Sequence, residues 1–229
     1  MSSLSDSIKL IFTEKFSYLK IFILSYLPFV VLKIKEGTYS LGETIDIISY
    51  TLLGLLYIGY LFLITAYTVQ AKQDVLPPMN PFKMFWVGLK GLFAILPSSL
   101  ICFIFYNYYL KNLNLEITSN KILGLIFALL LLSIIFTSII FYTKKFSILE
   151  AWNINNTLKN FSQIFLYLIL TLILICLIGT LIAIPVLSFT TLLFGKKLIY
   201  NCVIIYLTTA MLFVYFQNLG YAYFEYIKE

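Results

Sequence analysis

The sequence predicts an all-α fold, a polytopic transmembrane helical bundle, on three observations. The chain of 229 residues is 61% hydrophobic and 11% charged, with a mean hydropathy of +0.97; soluble domains are roughly half apolar and about a quarter charged. Ile47 to Gln70, Ile122 to Tyr142 and Phe161 to Gly195 contain no charged residue, and a bilayer core of about 30 Å needs about 20 such residues per helix. All sixteen basic residues are lysine, placed singly or in pairs between the apolar runs.

Six spans follow: Phe16 to Ile34, Ile47 to Gln70, Gly91 to Leu110, Ile122 to Tyr142, Ser162 to Ser188, and Cys202 to Tyr223. The first is interrupted by Lys20 and Lys33, so both side chains are expected to reach back toward opposite interfaces. The fifth is too long for one perpendicular helix, and Pro185 removes a backbone donor near its far end. A kink followed by a tilted or interfacial piece is expected there.

An even number of spans puts both termini on one side, and the lysines choose the side. Ten of the sixteen lie in the N-terminal segment, the second and fourth connections and the tail, which predicts cytoplasmic termini in a prokaryotic cell membrane. No signal peptide fits the first residues, because Asp6, Lys9, Glu14, Lys15 and Lys20 interrupt them.

Each segment assigned to the cytoplasm is amphipathic and leads into an odd-numbered span. Ile8, Ile11, Phe12, Phe16 and Leu19 recur at helical spacing in the first. Asn80 and Pro81 open the second, ahead of Phe82, Phe85, Trp86 and Leu89. Ser147 and Glu150 form a capping-box pattern in the third, ahead of Trp152, Leu158 and Phe161. One domain, 1–229, is expected, built from repeats 1–75, 76–145 and 146–229, each an interfacial helix plus a helical hairpin. Pro28 and Pro97 match between the first two units and Pro185 lies about a dozen residues late; chance likeness among Leu-rich and Phe-rich segments is the competing reading.

Several chemistries are excluded by residue type. Without histidine there is no HExxH metal site and no Ser-His-Asp triad. No phosphate-cradling GxxxxGK[ST] occurs. The carboxylates stand in loops, in the tail or at helix ends; of these, Asp74, Glu150 and Glu225 share the expected cytoplasmic face as solvated charges. Cys102, Cys176 and Cys202 lie inside apolar runs without CxxC spacing and read as buried, inert thiols. Scattered lysines without arginine do not make a nucleic-acid surface. The sequence therefore predicts no enzyme, no cofactor and no metal site.

The remaining polar residues supply the candidate sites. Gln217 and Asn218, with Ser98, Ser99 and Asn107, form the candidate intramembrane polar site, and the Gln217-Asn218 pair is expected to point into the bundle. Gly124, Ala128, Ser133 and Thr137 give small-residue spacings for close helix packing. Lys145, Glu150, Trp152 and Lys159 mark a cytoplasmic segment that either anchors at the interface or faces a partner.

From Gly59 to Pro97 the chain resembles a family of prokaryotic multi-pass membrane proteins catalogued only as a domain of unknown function. The residues that carry the resemblance are Gly59-Tyr60, Asp74-Val75-Leu76-Pro77, Asn80, Phe85, Gly88-Leu89-Lys90 and Pro97. It implies a six-span protein in which a Leu-Pro loop and a Gly-Leu helix entry join the second and third helices, and it implies no activity. This chain has Thr65, Thr68 and Lys72 where the family tends to carry basic residues. Three functions remain open: a scaffold or accessory subunit among other membrane protein subunits; a transporter or permease subunit for a lipid or apolar small molecule, with or without a separate ATPase as partner; or, as a weaker third, an immunity protein against a membrane-active peptide.

Overall fold

A computed structural model describes residues 2–14, 16–35, 42–70, 76–105, 107, 118–194 and 197–227. Among these no strand occurs, and eight helices follow in order: α1 Ser2–Thr13, α2 Ser17–Lys35, α3 Glu43–Val69, α4 Pro81–Phe105, α5 Thr118–Lys145, α6 Ile148–Trp152, α7 Ile154–Phe194 and α8 Lys197–Tyr226. Five contain segments long and apolar enough to cross a bilayer: Ile45–Val69, Pro81–Ile104, Ala128–Lys145, Ile154–Ser188 and Tyr200–Phe224. The first predicted span falls on α2, which is not among these five. The chain is a helical membrane protein.

The helix α3 is the centre. Gly59 through Ala66 are buried on every side, as a helix apolar all round its circumference must be, and α2, α4, α5 and α8 all pack on it. Tyr60 stacks against Phe213 of α8 at 5.3 Å between ring centres, and Phe62 meets Tyr142 of α5 edge-on at 5.9 Å. Ile140, Leu24, Ile164 and Leu219 complete the core from four further helices.

The three amphipathic entries take three different forms. The first is a separate helix, α1, cut from α2 at residues 14–16. The second is not separate: Asn80 Oδ1 accepts the Lys83 amide at 3.1 Å, and α4 then runs unbroken from Pro81 to Phe105, ten residues ahead of the expected start at Gly91. The third is broken twice. Phe146 has φ 53°, a left-handed conformation that ends α5; Ser147 Oγ then accepts the Glu150 amide at 3.4 Å to start α6, and Asn153 Oδ1 accepts the Asn156 amide at 3.2 Å to start α7.

The helix α7 runs through Pro185 to Phe194, 41 residues in all, or about 60 Å at 1.5 Å per residue. One expectation is corrected. Cys176 and Cys202 are exposed on outer helix faces, and Cys102 alone of the three cysteines is buried. Lys20 reaches to the segment ahead of α2 and to the loop between α3 and α4, where its side chain is 15% exposed because a carboxylate and a carbonyl hold it. The side chain of Lys33 lies outside the described residues, as do Asp74 and the side chain of Glu225.

Candidate functional site

At the start of the chain a charged pair holds the loop between α3 and α4. Lys20 Nζ donates to Glu14 Oε1 at 2.5 Å and to the Leu76 carbonyl at 2.9 Å. Glu14 Oε2 accepts the Leu76 amide at 2.9 Å, and the Tyr60 hydroxyl donates to the Pro77 carbonyl at 3.0 Å. Both charges are largely buried, which is tolerable only where each is paired and hydrogen-bonded. Pro77 has no N–H and residues 76–80 make no regular structure, so their backbone polar groups depend on these side chains. Sequence reading missed this cluster. Its signal was a carboxylate six residues ahead of a lysine that interrupts an apolar run.

The helix α8 carries the polar residues singled out from the sequence. Asn218 is buried: its Nδ2 donates to Ser7 Oγ of α1 and to the Val214 carbonyl, both at 2.9 Å. Its Oδ1 accepts the Tyr167 hydroxyl of α7 at 3.4 Å. One amide thus ties together α1, α7 and α8. Gln217 is 2% exposed, and its Oε1 is the one buried side-chain polar atom without a hydrogen-bond partner among the described residues.

Ser98 falls elsewhere, hydrogen-bonded to Ser138 between α4 and α5. Ser99 is half-buried beside it, and Asn107 donates to its own helix at the Phe103 carbonyl, 3.0 Å away. The five residues read as one intramembrane site therefore belong to separate clusters. Ser133 and Thr137 are buried, Ala128 is exposed, and the surroundings of Gly124 lie outside the described residues. The closest helix approaches are made by other glycines: Gly59 with Gly88, Gly91 under Phe62, and Gly220 against Thr65 and Thr68.

Between the α1–α2 pair and the α7–α8 pair lies a groove of about 230 Å³. Its walls include Ile8, Ile21, Ile175, Gly179, Met211 and Val214, with Tyr18 and Tyr206 contributing their rings. Gly179 makes room for the Met211 side chain, whose methyl group would lie 1.9 Å from a Cβ at that position.

At one end of the bundle several helix termini meet. Gln70 Nε2 donates to the Thr143 carbonyl at 3.2 Å, joining the ends of α3 and α5. Lys144 stands 5.2 Å from the ring centre of Tyr223, and Lys83 stands 5.7 Å from that of Tyr67. The segment read as anchor or partner-facing helix sits here. Lys145 pairs with Glu150 at 2.9 Å, and Trp152 Nε1 donates to the Phe93 carbonyl of α4 at 3.0 Å, so both turn back onto this chain. Lys159 is exposed. A hollow of about 330 Å³ opens between Phe141, Lys144, Leu149, Glu150, Asn153 and Asn156. Among the described residues no three His, Cys, Asp or Glu side chains come together.

No protein-family model, no curated protein and no solved structure matches this chain.

Proposed function

We propose that this chain is a non-enzymatic accessory subunit or scaffold of a larger membrane assembly, placed in a prokaryotic cell membrane with both termini in the cytoplasm. The observation that carries the reading is the outer face of α7. Leu166, Leu170, Ile173, Leu177, Leu181 and Ile184 are all exposed, and they recur at steps of three or four residues. That row is the seam a second helix packs against. It belongs to the longest of the described helices, in whose 18-residue apolar stretch 28% of the residues are buried inside the protein, against 50% in that of α5.

The test is photo-crosslinking from Leu170, Leu177 and Leu181 in native membranes. A discrete membrane-protein adduct at all three positions, lost when Leu177 becomes Lys, is the expected result. Adducts to lipid alone would overturn the reading.

A second reading, a transporter or permease subunit for a lipid or apolar molecule with a separate ATPase, draws on the groove beside α7 and α8. Transport in liposomes that is abolished by Gly179→Leu, which fills the groove, would favour it over the first.

A further inference from the structure

The hollow at the junction of α5, α6 and α7 lies between the ends of two helical segments long and apolar enough to cross a bilayer, Ala128–Lys145 and Ile154–Ser188. That places it at the depth of lipid headgroups. Its walls carry opposite charges. Lys144 supplies an ammonium steadied over the Tyr223 ring, and Glu150 supplies a carboxylate whose partner, Lys145, lies with a side chain 66% exposed to solvent. Asn153 and Asn156 add side-chain amides beside the first turn of α7, where the helix dipole favours a phosphate. Phe141 and Leu149 add apolar walls, and Leu149 is 78% exposed.

A simple anion meets Glu150 in this hollow, and a simple cation meets Lys144. A ligand that carries both charges a few ångströms apart, with an apolar tail, satisfies every wall. We propose that this corner binds the headgroup of a zwitterionic phospholipid with a primary ammonium, a phosphoethanolamine lipid of the surrounding bilayer. Its phosphate lies toward Lys144 and the start of α7, its ammonium donates to Glu150, and its first acyl carbons run along Leu149. A trimethylammonium headgroup has no N–H to give the carboxylate and is larger, so phosphocholine lipids fit less well. Because the acyl part contributes contacts along Leu149, the soluble headgroup alone binds weakly.

The experiment is lipid titration of the delipidated, detergent-solubilised full chain, read by native mass spectrometry, with phosphatidylethanolamine, phosphatidylcholine and phosphatidylglycerol of matched chains. The expected preference for phosphatidylethanolamine over phosphatidylcholine is about fivefold, the worth of one partly exposed charge-assisted hydrogen bond. Glu150→Gln removes that preference, and Lys144→Gln weakens all three lipids. Lys145→Gln, a change at an exposed side chain that leaves the fold intact, frees Glu150 and raises the preference. Equal binding of phosphatidylethanolamine and phosphatidylcholine overturns the proposal, as does a Lys145→Gln variant with an unchanged or lower preference. Displacement of the lipid by soluble glycerophosphoethanolamine at equal concentration also overturns it, because the ligand would then be the free headgroup.

Discussion

Gly59 of α3 and Gly88 of α4 meet backbone to backbone. A Cβ on Gly59 would stand 1.8 Å from the Met84 carbonyl oxygen and 2.9 Å from the Gly88 amide nitrogen, and a Cβ on Gly88 would stand 2.3 Å from the Leu55 carbonyl oxygen. Neither contact is with a flexible side chain, so the helices themselves have to move apart. In a bilayer, where no hydrophobic effect drives helices together, such close approach is a main source of packing attraction.

Gly59→Ala and Gly88→Ala are therefore expected to destabilise the protein by about 3 kcal/mol each, the upper range for overpacking. Gly54→Ala lies on the same helix with nothing within 4 Å of its Cβ and is expected to be neutral or to stabilise by up to about 1 kcal/mol through helix propensity. Thermal unfolding of the three variants in one detergent checks the contrast. A Gly59→Ala protein as stable as Gly54→Ala would sink this account of the crossing.

The Glu14–Lys20 pair predicts strong coupling. Glu14→Gln leaves the Lys20 ammonium facing a neutral amide, and Lys20→Met leaves the carboxylate with one backbone donor. Each single change is expected to cost about 2–3 kcal/mol, as for a charged group stripped of its hydrogen-bond partner. The double variant should cost clearly less than the two losses added, because no unpaired charge remains. Additive losses in a double-mutant cycle would show that the pair does not act as a unit.

Neighbouring amides on α8 are predicted to respond with opposite sign. Asn218→Leu removes the links to Ser7 and Tyr167 and is expected to cost about 1–3 kcal/mol, with α1 released to proteolysis. Gln217→Met removes a buried carbonyl that has no partner and is expected to leave stability unchanged or to raise it by about 1 kcal/mol. Denaturation in detergent, with limited proteolysis read at the N-terminus, distinguishes the two.

How much of this was legible follows from which forces act locally. The spans were readable because the bilayer demands uninterrupted apolar length, and α3, α5 and α7 lie where the three charge-free runs placed them. Asn80 and Pro81 were readable as a helix start, and α4 begins there; that the entry and the span expected from Gly91 form one unbroken helix was not, because nothing local marks whether a helix bends at the interface. The burial of Gln217 and Asn218 was readable from the cost of exposing two amides to hydrocarbon. Their partners were not, since Ser7 lies 211 residues from Asn218.

The sequence by itself determined that this protein is a bundle of membrane helices, because length, hydropathy and the placement of lysines are properties of single segments. Tertiary structure alone decided that α3 is the central helix, that Gly59 and Gly88 mark the crossing, and that Lys20 reaches to Glu14 and Leu76. All apolar helices look alike to lipid; which faces meet depends on where two backbones can approach and where a buried polar group finds its partner. Those conditions are met between segments far apart in the chain.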